Sequence, residues 1–149
     1  VLDGFTLLFA GAALVLTLIE YAGLPAEIPT HLNFHGQADA YGSKISIFIL
    51  PLLSIVIAIS LISLSRFPEK FNYPYPISAE NAAFEYMKSR FLLRVVNVLT
   101  SLLFLLLTWE IIQIASSQVF HLNILFWAVL LAILIAPMAI LFLWKKPGK

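Results

Sequence analysis

The chain has 149 residues, 61 % of them hydrophobic and 11 % charged, with a formal net charge of +1 and a mean hydropathy of +0.96. Water-soluble domains carry roughly 25 % charged residues, so this composition excludes an ordinary soluble fold and names lipid as the solvent. The absence of cysteine excludes disulfides, thiolate metal sites and a cysteine nucleophile.

A helix needs about 20 residues to cross roughly 30 Å of hydrocarbon at about 1.5 Å per residue. Four stretches pass that test, at about 4–24, 45–65, 95–115 and 122–144. The expected fold class is therefore all-α: a polytopic integral membrane protein forming a single four-helix membrane domain over residues 1–149. An outer loop at 25–44, structured and lidding the bundle, and an inner loop at 66–94 complete it.

The first span begins with Asp3, lacks a basic start and is followed by no small-x-small cleavage site, so it reads as a retained helix and not a secretory signal. The chain opens on Val1 and not on Met, which suggests that residues before it are missing or removed. Ala10, Gly11, Ala12 and Ala13 permit close helix approach.

Residues 24–44 follow, LPAEIPTHLNFHGQADAYGSK, a polar island holding His31 and His35. A separation of four would place both imidazoles on one helix face, as a metal requires, but Pro29, Asn33 and Gly36 oppose a regular helix there. The zinc-protease pattern HExxH is absent.

Pro51 and Pro137 fall inside the second and fourth spans and are expected to kink them. Between those spans, 67–76 contains three prolines and should be irregular. Ser78 is the expected N-cap of a helix that runs on into the third span, with Glu80 in its first turn. Asn97, Thr100, Ser101, Thr108 and Gln113 can hydrogen-bond between helices. Ser116, Ser117, Gln118, His121 and Asn123 mark a turn, and Trp109, Trp127, Trp144, Tyr21 and Tyr41 suit interface anchoring.

Alternating the loops across the bilayer puts eight basic residues on one face, Arg66, Lys70, Lys88, Arg90, Arg94, Lys145, Lys146 and Lys149, and only Lys44 on the other. Short basic loops resist translocation, so both termini are expected in the cytoplasm and the 25–44 loop outside. Lys88, Arg90 and Arg94 then read as a basic collar for anionic lipid.

All three histidines fall on the outer side in this topology, together with Glu20 and Glu110 at matching depths about 6 to 8 Å below the boundary. Ionisable groups in a span persist when compensated by water, a partner, a shared proton or a cation. Glu20, His31 and Glu110 are thus candidates for catalysis or for holding a divalent metal such as zinc, whose usual ligands they match. The alternatives are histidines that hydrogen-bond the loop or sense pH, and glutamates that reach headgroup water. Nothing resembles a Ser-His-Asp arrangement, a phosphate-binding glycine loop or a nucleic-acid face.

The order LP..IPTH.N..G..D..GSK, followed at once by a span, resembles a bacterial membrane family. It is the domain-of-unknown-function family at the N-terminus of SdpI-type immunity proteins, which protect bacilli from the sporulation-delaying toxin. Phe71-Asn72-Tyr73-Pro74, Glu80-Asn81 and Tyr86 are similar to the second part of its pattern. The resemblance carries onto Pro29, His31, Asn33, Gly36, Asp39 and Lys44, and proteins of that type are longer, with further spans that act in immunity and in recruiting a repressor.

Three functions follow as expectations. The first is a plasma-membrane protein that binds a peptide, toxin or small ligand, or a signalling protein, through the outer loop, with His35 beside the motif residues. The second is a metal-dependent hydrolase using Glu20, His31 and Glu110, with a glutamate as general base. The third is a small proton-linked transporter subunit. The first expects no cofactor and, beyond the bilayer, a peptide or protein partner.

Overall fold

The computed structural model describes residues 1–33, 35–117 and 124–144. Its helices are α1 (Leu2–Glu20), α2 (Ile49–Leu64), α3 (Ala82–Ser117) and α4 (Ile124–Leu143). All four, with short 3-10 extensions at Tyr21–Gly23 and Lys44–Phe48, are long and apolar enough to cross a membrane. They suggest a multi-pass membrane protein. α3 packs against each of the other three helices, and α1 also packs on α2.

The packing faces explain how such apolar helices find one another. Thr6, Ala10, Ala13 and Thr17 are buried on α1, Pro51, Ser54 and Ala58 on α2, and Asn97, Ser101 and Thr108 on α3. Leu7, Leu18, Leu52, Val56 and Leu134 are exposed. Small residues let backbones approach closely, and no hydrophobic force separates leucine from a surrounding of like polarity. The threonines can be buried because each hydroxyl donates to a carbonyl of its own helix: Thr6 to Leu2 (3.3 Å), Thr17 to Ala13 (2.9 Å) and Thr108 to Phe104 (2.8 Å). Thr108 therefore does not bridge helices as the sequence suggested. Asn97 does, donating from Nδ2 to the Ala58 carbonyl at 3.0 Å.

The all-helical expectation needs one correction. Residues within the 25–44 loop form an antiparallel hairpin of β1 (Glu27–Leu32) and β2 (Ala38–Ser43), paired Glu27 with Ser43, Ile28 with Gly42 and Pro29 with Tyr41. Both strands are edges, so Pro29, lacking an N–H, is tolerated. Leu24 and Ile28 from the hairpin side join Ile47, Ile111 and Ile112 in one buried cluster, which seats the sheet on the end of α3.

Two boundaries also shift. Pro51 is the third residue of α2, in its first turn, where proline is tolerated without breaking the helix. Pro137 does lie within α4. The regular part of α3 starts at Ala82, although Ala82 N–H already donates to the Ser78 carbonyl (2.9 Å) while Asn81 Oδ1 accepts the Ser78 N–H (2.8 Å). The capping side chain is thus that of Asn81, and Ser78 supplies the first carbonyl. The helix is continuous from there to Ser117, as the sequence predicted. Residues 65–81 hold a single 3-10 turn, Pro68–Lys70.

Candidate ligand site at the hairpin end

The hairpin turn is built by one side chain. Asn33 Oδ1 accepts the N–H groups of His35 (2.9 Å) and Gln37 (3.0 Å), its own N–H donates to the Gln37 carbonyl (2.8 Å), and its carbonyl accepts from Gly36 (2.9 Å). Gly36 has φ of +74°, a left-handed backbone in which a side chain would crowd the following carbonyl. Asn33 and Gly36 are therefore explained by the turn, without a ligand.

Gly42 and Lys44 have structural reasons too. A Cβ at Gly42 would stand 2.9 Å from Thr30 Cγ2, so any larger residue there would have to displace the Thr30 methyl group. Lys44 Nζ donates to the carbonyls of Tyr21 and Leu24, both at 3.4 Å, where the first helix ends. Its positive charge offsets the partial negative charge of those helix-end carbonyls, of which that of Tyr21 also accepts the Leu24 N–H at 3.4 Å. It also lies 4.7 Å from the centre of the Tyr21 ring.

His31 and Asp39 differ. The register that pairs Glu27 with Ser43 would set them opposite each other, but irregularities on both sides of His31 put Ala40 across from it instead. The side chains still meet, His31 Nδ1 and Asp39 Oδ1 being 2.5 Å apart, with 68 % and 45 % of each exposed. Such a bond fixes the imidazole's orientation and leaves Nε2 for another partner.

Beside this pair lies a cleft of about 650 Å³. Its walls are the β1 segment from Ile28 to Asn33, Ile47 and Leu50 near the start of α2, Leu107 and Ile111 of α3, and Phe126, Trp127 and Leu130 of α4. The pocket is mostly apolar, with His31 and Asp39 among its few polar groups. An apolar pocket with a few converging polar groups is the usual form of a ligand site.

The other sequence candidates do not converge. Glu20 ends α1 and is exposed, whereas Glu110 is 6 % exposed within α3, and neither lines the cleft. Among the described residues no group of three His, Asp or Glu side chains could hold a metal ion, so Glu20, His31 and Glu110 do not form the expected ligand set. His35 is exposed and enters the site only through its backbone. Of the turn expected at 116–123, Ser116 and Ser117 belong to α3 instead, and Gln118, His121 and Asn123 lie outside the described residues.

Sequence reading missed the pairing of His31 with Asp39 and the contribution of α4. The Asn33–Gly36 turn flanked by Ile28 to Leu32 and Ala38 to Tyr41 was the available hairpin signal. Trp127, expected to anchor an interface, stands edge-on to Phe126 at 5.5 Å and also lines the cleft.

Residues 8–55 match a family described as a domain of unknown function, DUF1648. The match runs from α1 through the hairpin into α2, and agrees with the expectation of a domain-of-unknown-function family. The chain is also similar to an uncharacterized protein of Archaeoglobus fulgidus, 29 % identical over 141 residues that cover 85 % of this chain and 76 % of the relative. No solved structure matches.

Proposed function

We propose that the chain is a multi-pass protein of a bacterial plasma membrane, with both termini cytoplasmic, that captures a peptide, toxin or small apolar ligand in the cleft beneath the hairpin. As in the SdpI-type proteins it resembles, capture serves immunity or signalling. The observation that carries this reading is the cleft itself: an apolar recess at the end of the bundle, edged by an oriented, exposed His31–Asp39 pair. An apolar ligand gains by leaving water for the recess, and the pair discriminates through hydrogen bonding.

Support for the bilayer comes from the distribution of side chains. Large aliphatics such as Leu18, Ile59, Ile135 and Phe142 are exposed while Thr6, Ser54, Asn97 and Ser101 are buried, the reverse of what water selects. The basic bias of the opposite end supports a cytoplasmic assignment for it.

Cells expressing the chain and challenged with the sporulation-delaying toxin test the reading. Protection by the unaltered chain, lost in His31→Ala and in Trp127→Ala at equal membrane abundance, is the expected result. Equal survival of all strains and of cells lacking the protein would refute immunity. Ser43→Cys, on the exposed strand end, should react with an impermeant maleimide in intact cells, and labelling only after lysis would invert the topology.

A further inference from the structure

At the end of the bundle opposite the hairpin, a second cleft of about 490 Å³ opens between the start of α1, the first turns of α3 and the end of α4. Its polar groups are Arg90 and Arg94, one helical turn apart on α3, with Tyr86 a turn before them, and its apolar walls include Leu2, Phe91 and Trp144. Among the described residues no acidic side chain lines it, although Asp3 lies 3.3 Å from Arg94.

We propose that this cleft binds one anionic phospholipid, its phosphate between Arg90 and Arg94 and the upper part of an acyl chain along Leu2, Phe91 and Trp144. Three observations converge on that occupant. Two like charges at i and i+4 on a helix repel, and an anion between them removes the repulsion. Asp3 pairs with Arg94, Oδ1 to Nε at 3.3 Å and without the alignment of a hydrogen bond, while the exposed Arg90 lines the cleft beside it, and arginine binds a phosphate as a fork. The walls then separate a lipid from free phosphate, because an inorganic ion has no use for the apolar half of the cleft. Trp144 is held for that contact by edge-on packing against Phe84 (6.5 Å) and Phe91 (5.0 Å). Basic recesses between helices at the cytoplasmic side suit such headgroups.

The inference rests on the membrane-spanning reading, and one experiment separates the two. The full chain is reconstituted into phosphatidylcholine vesicles with and without a minor fraction of phosphatidylglycerol, re-extracted in mild detergent, and its retained lipid identified by native mass spectrometry. Phosphatidylglycerol should be retained in preference to phosphatidylcholine, about fivefold less by Arg90→Gln. Arg90→Lys should restore most of the loss. Arg66→Gln, which removes an exposed charge at the same end of the bundle, should change nothing. Equal loss in the Arg66 variant would reduce the effect to diffuse attraction and overturn the site, as would displacement of the lipid by millimolar inorganic phosphate. Entry into vesicles without phosphatidylglycerol enrichment overturns the lipid site alone, whereas failure to enter neutral vesicles overturns the spanning reading and this inference with it.

Discussion

The ammonium of Lys44 lies 4.7 Å from the centre of the Tyr21 ring and 3.4 Å from the Tyr21 carbonyl oxygen, joining the end of the hairpin to the end of the first helix. The Lys44 backbone extends the tie, its N–H donating to the Ala26 carbonyl at 2.9 Å. One residue thus closes the loop whose ends must be fixed if His31 is to stand over the cleft.

Replacing Lys44 by Met keeps the aliphatic stem but removes the donor and the charge. The Tyr21 and Leu24 carbonyls then lose a charge-assisted partner, at a cost of about 1 to 2 kcal/mol. Thermal unfolding in detergent should show a lowered midpoint, with Lys44→Arg falling less. An unchanged Lys44→Met midpoint would remove the clamp from the account.

Gly42→Ala should destabilise the hairpin by about 1 to 3 kcal/mol, since its Cβ would press on Thr30 Cγ2. Thr30→Ser deletes that methyl group. The double variant should recover most of the stability, and a purely additive double-mutant cycle would contradict the contact.

Asn97 offers a test of the bundle's interior. Its Nδ2 bridges to Ala58, while Oδ1, Ser54 Oγ and Ser101 Oγ are buried without a hydrogen-bond partner among the described residues. Asn97→Ala should therefore cost only about 0.6 kcal/mol from the lost bridge, beside a cavity term that Asn97→Leu would reduce. A loss of several kcal/mol in both variants, measured by unfolding in detergent, would show that Oδ1 has a partner.

Tyr75 provides a pH signature in the 65–81 connection. Its hydroxyl donates to Glu85 Oε2 at 2.6 Å, and that bond, with burial and the negative charge of Glu85, pushes the phenol up from 10 to about 12. Because the folded pKa is the higher one, the contribution to stability is complete below about pH 10 and is lost as pH rises towards 12. Phenolate absorbance during titration should show one tyrosine ionising late, and Glu85→Ala should return it to the ordinary range.

How much of this could be read from the sequence differs by element. The helices were legible because their length and apolarity suffice, and the extension of α3 below its span was legible from the N-cap signal of Ser78 with Glu80. The hairpin was not, because Pro29 and the polar run around it suggested irregular chain, and the spacing of His31 and His35 drew notice to a helical pair that does not exist. Two irregularities around His31 then hide the cross-strand partner from any simple count. For Glu20 and Glu110 the sequence gives a shared depth and no more, because depth along a helix says nothing about the direction in which a side chain leaves it.

Residue chemistry alone decided the number of helices long and apolar enough to cross a membrane, since transfer of long apolar segments out of water depends on composition and length and hardly on neighbours. Folding in three dimensions decided that His31 meets Asp39, that Lys44 caps Tyr21 and Leu24, and that Glu110 is buried while Glu20 is not. Helices apolar on every side carry no stripe that marks an inward face, so their rotation is fixed only when the small residues of one find the grooves of another.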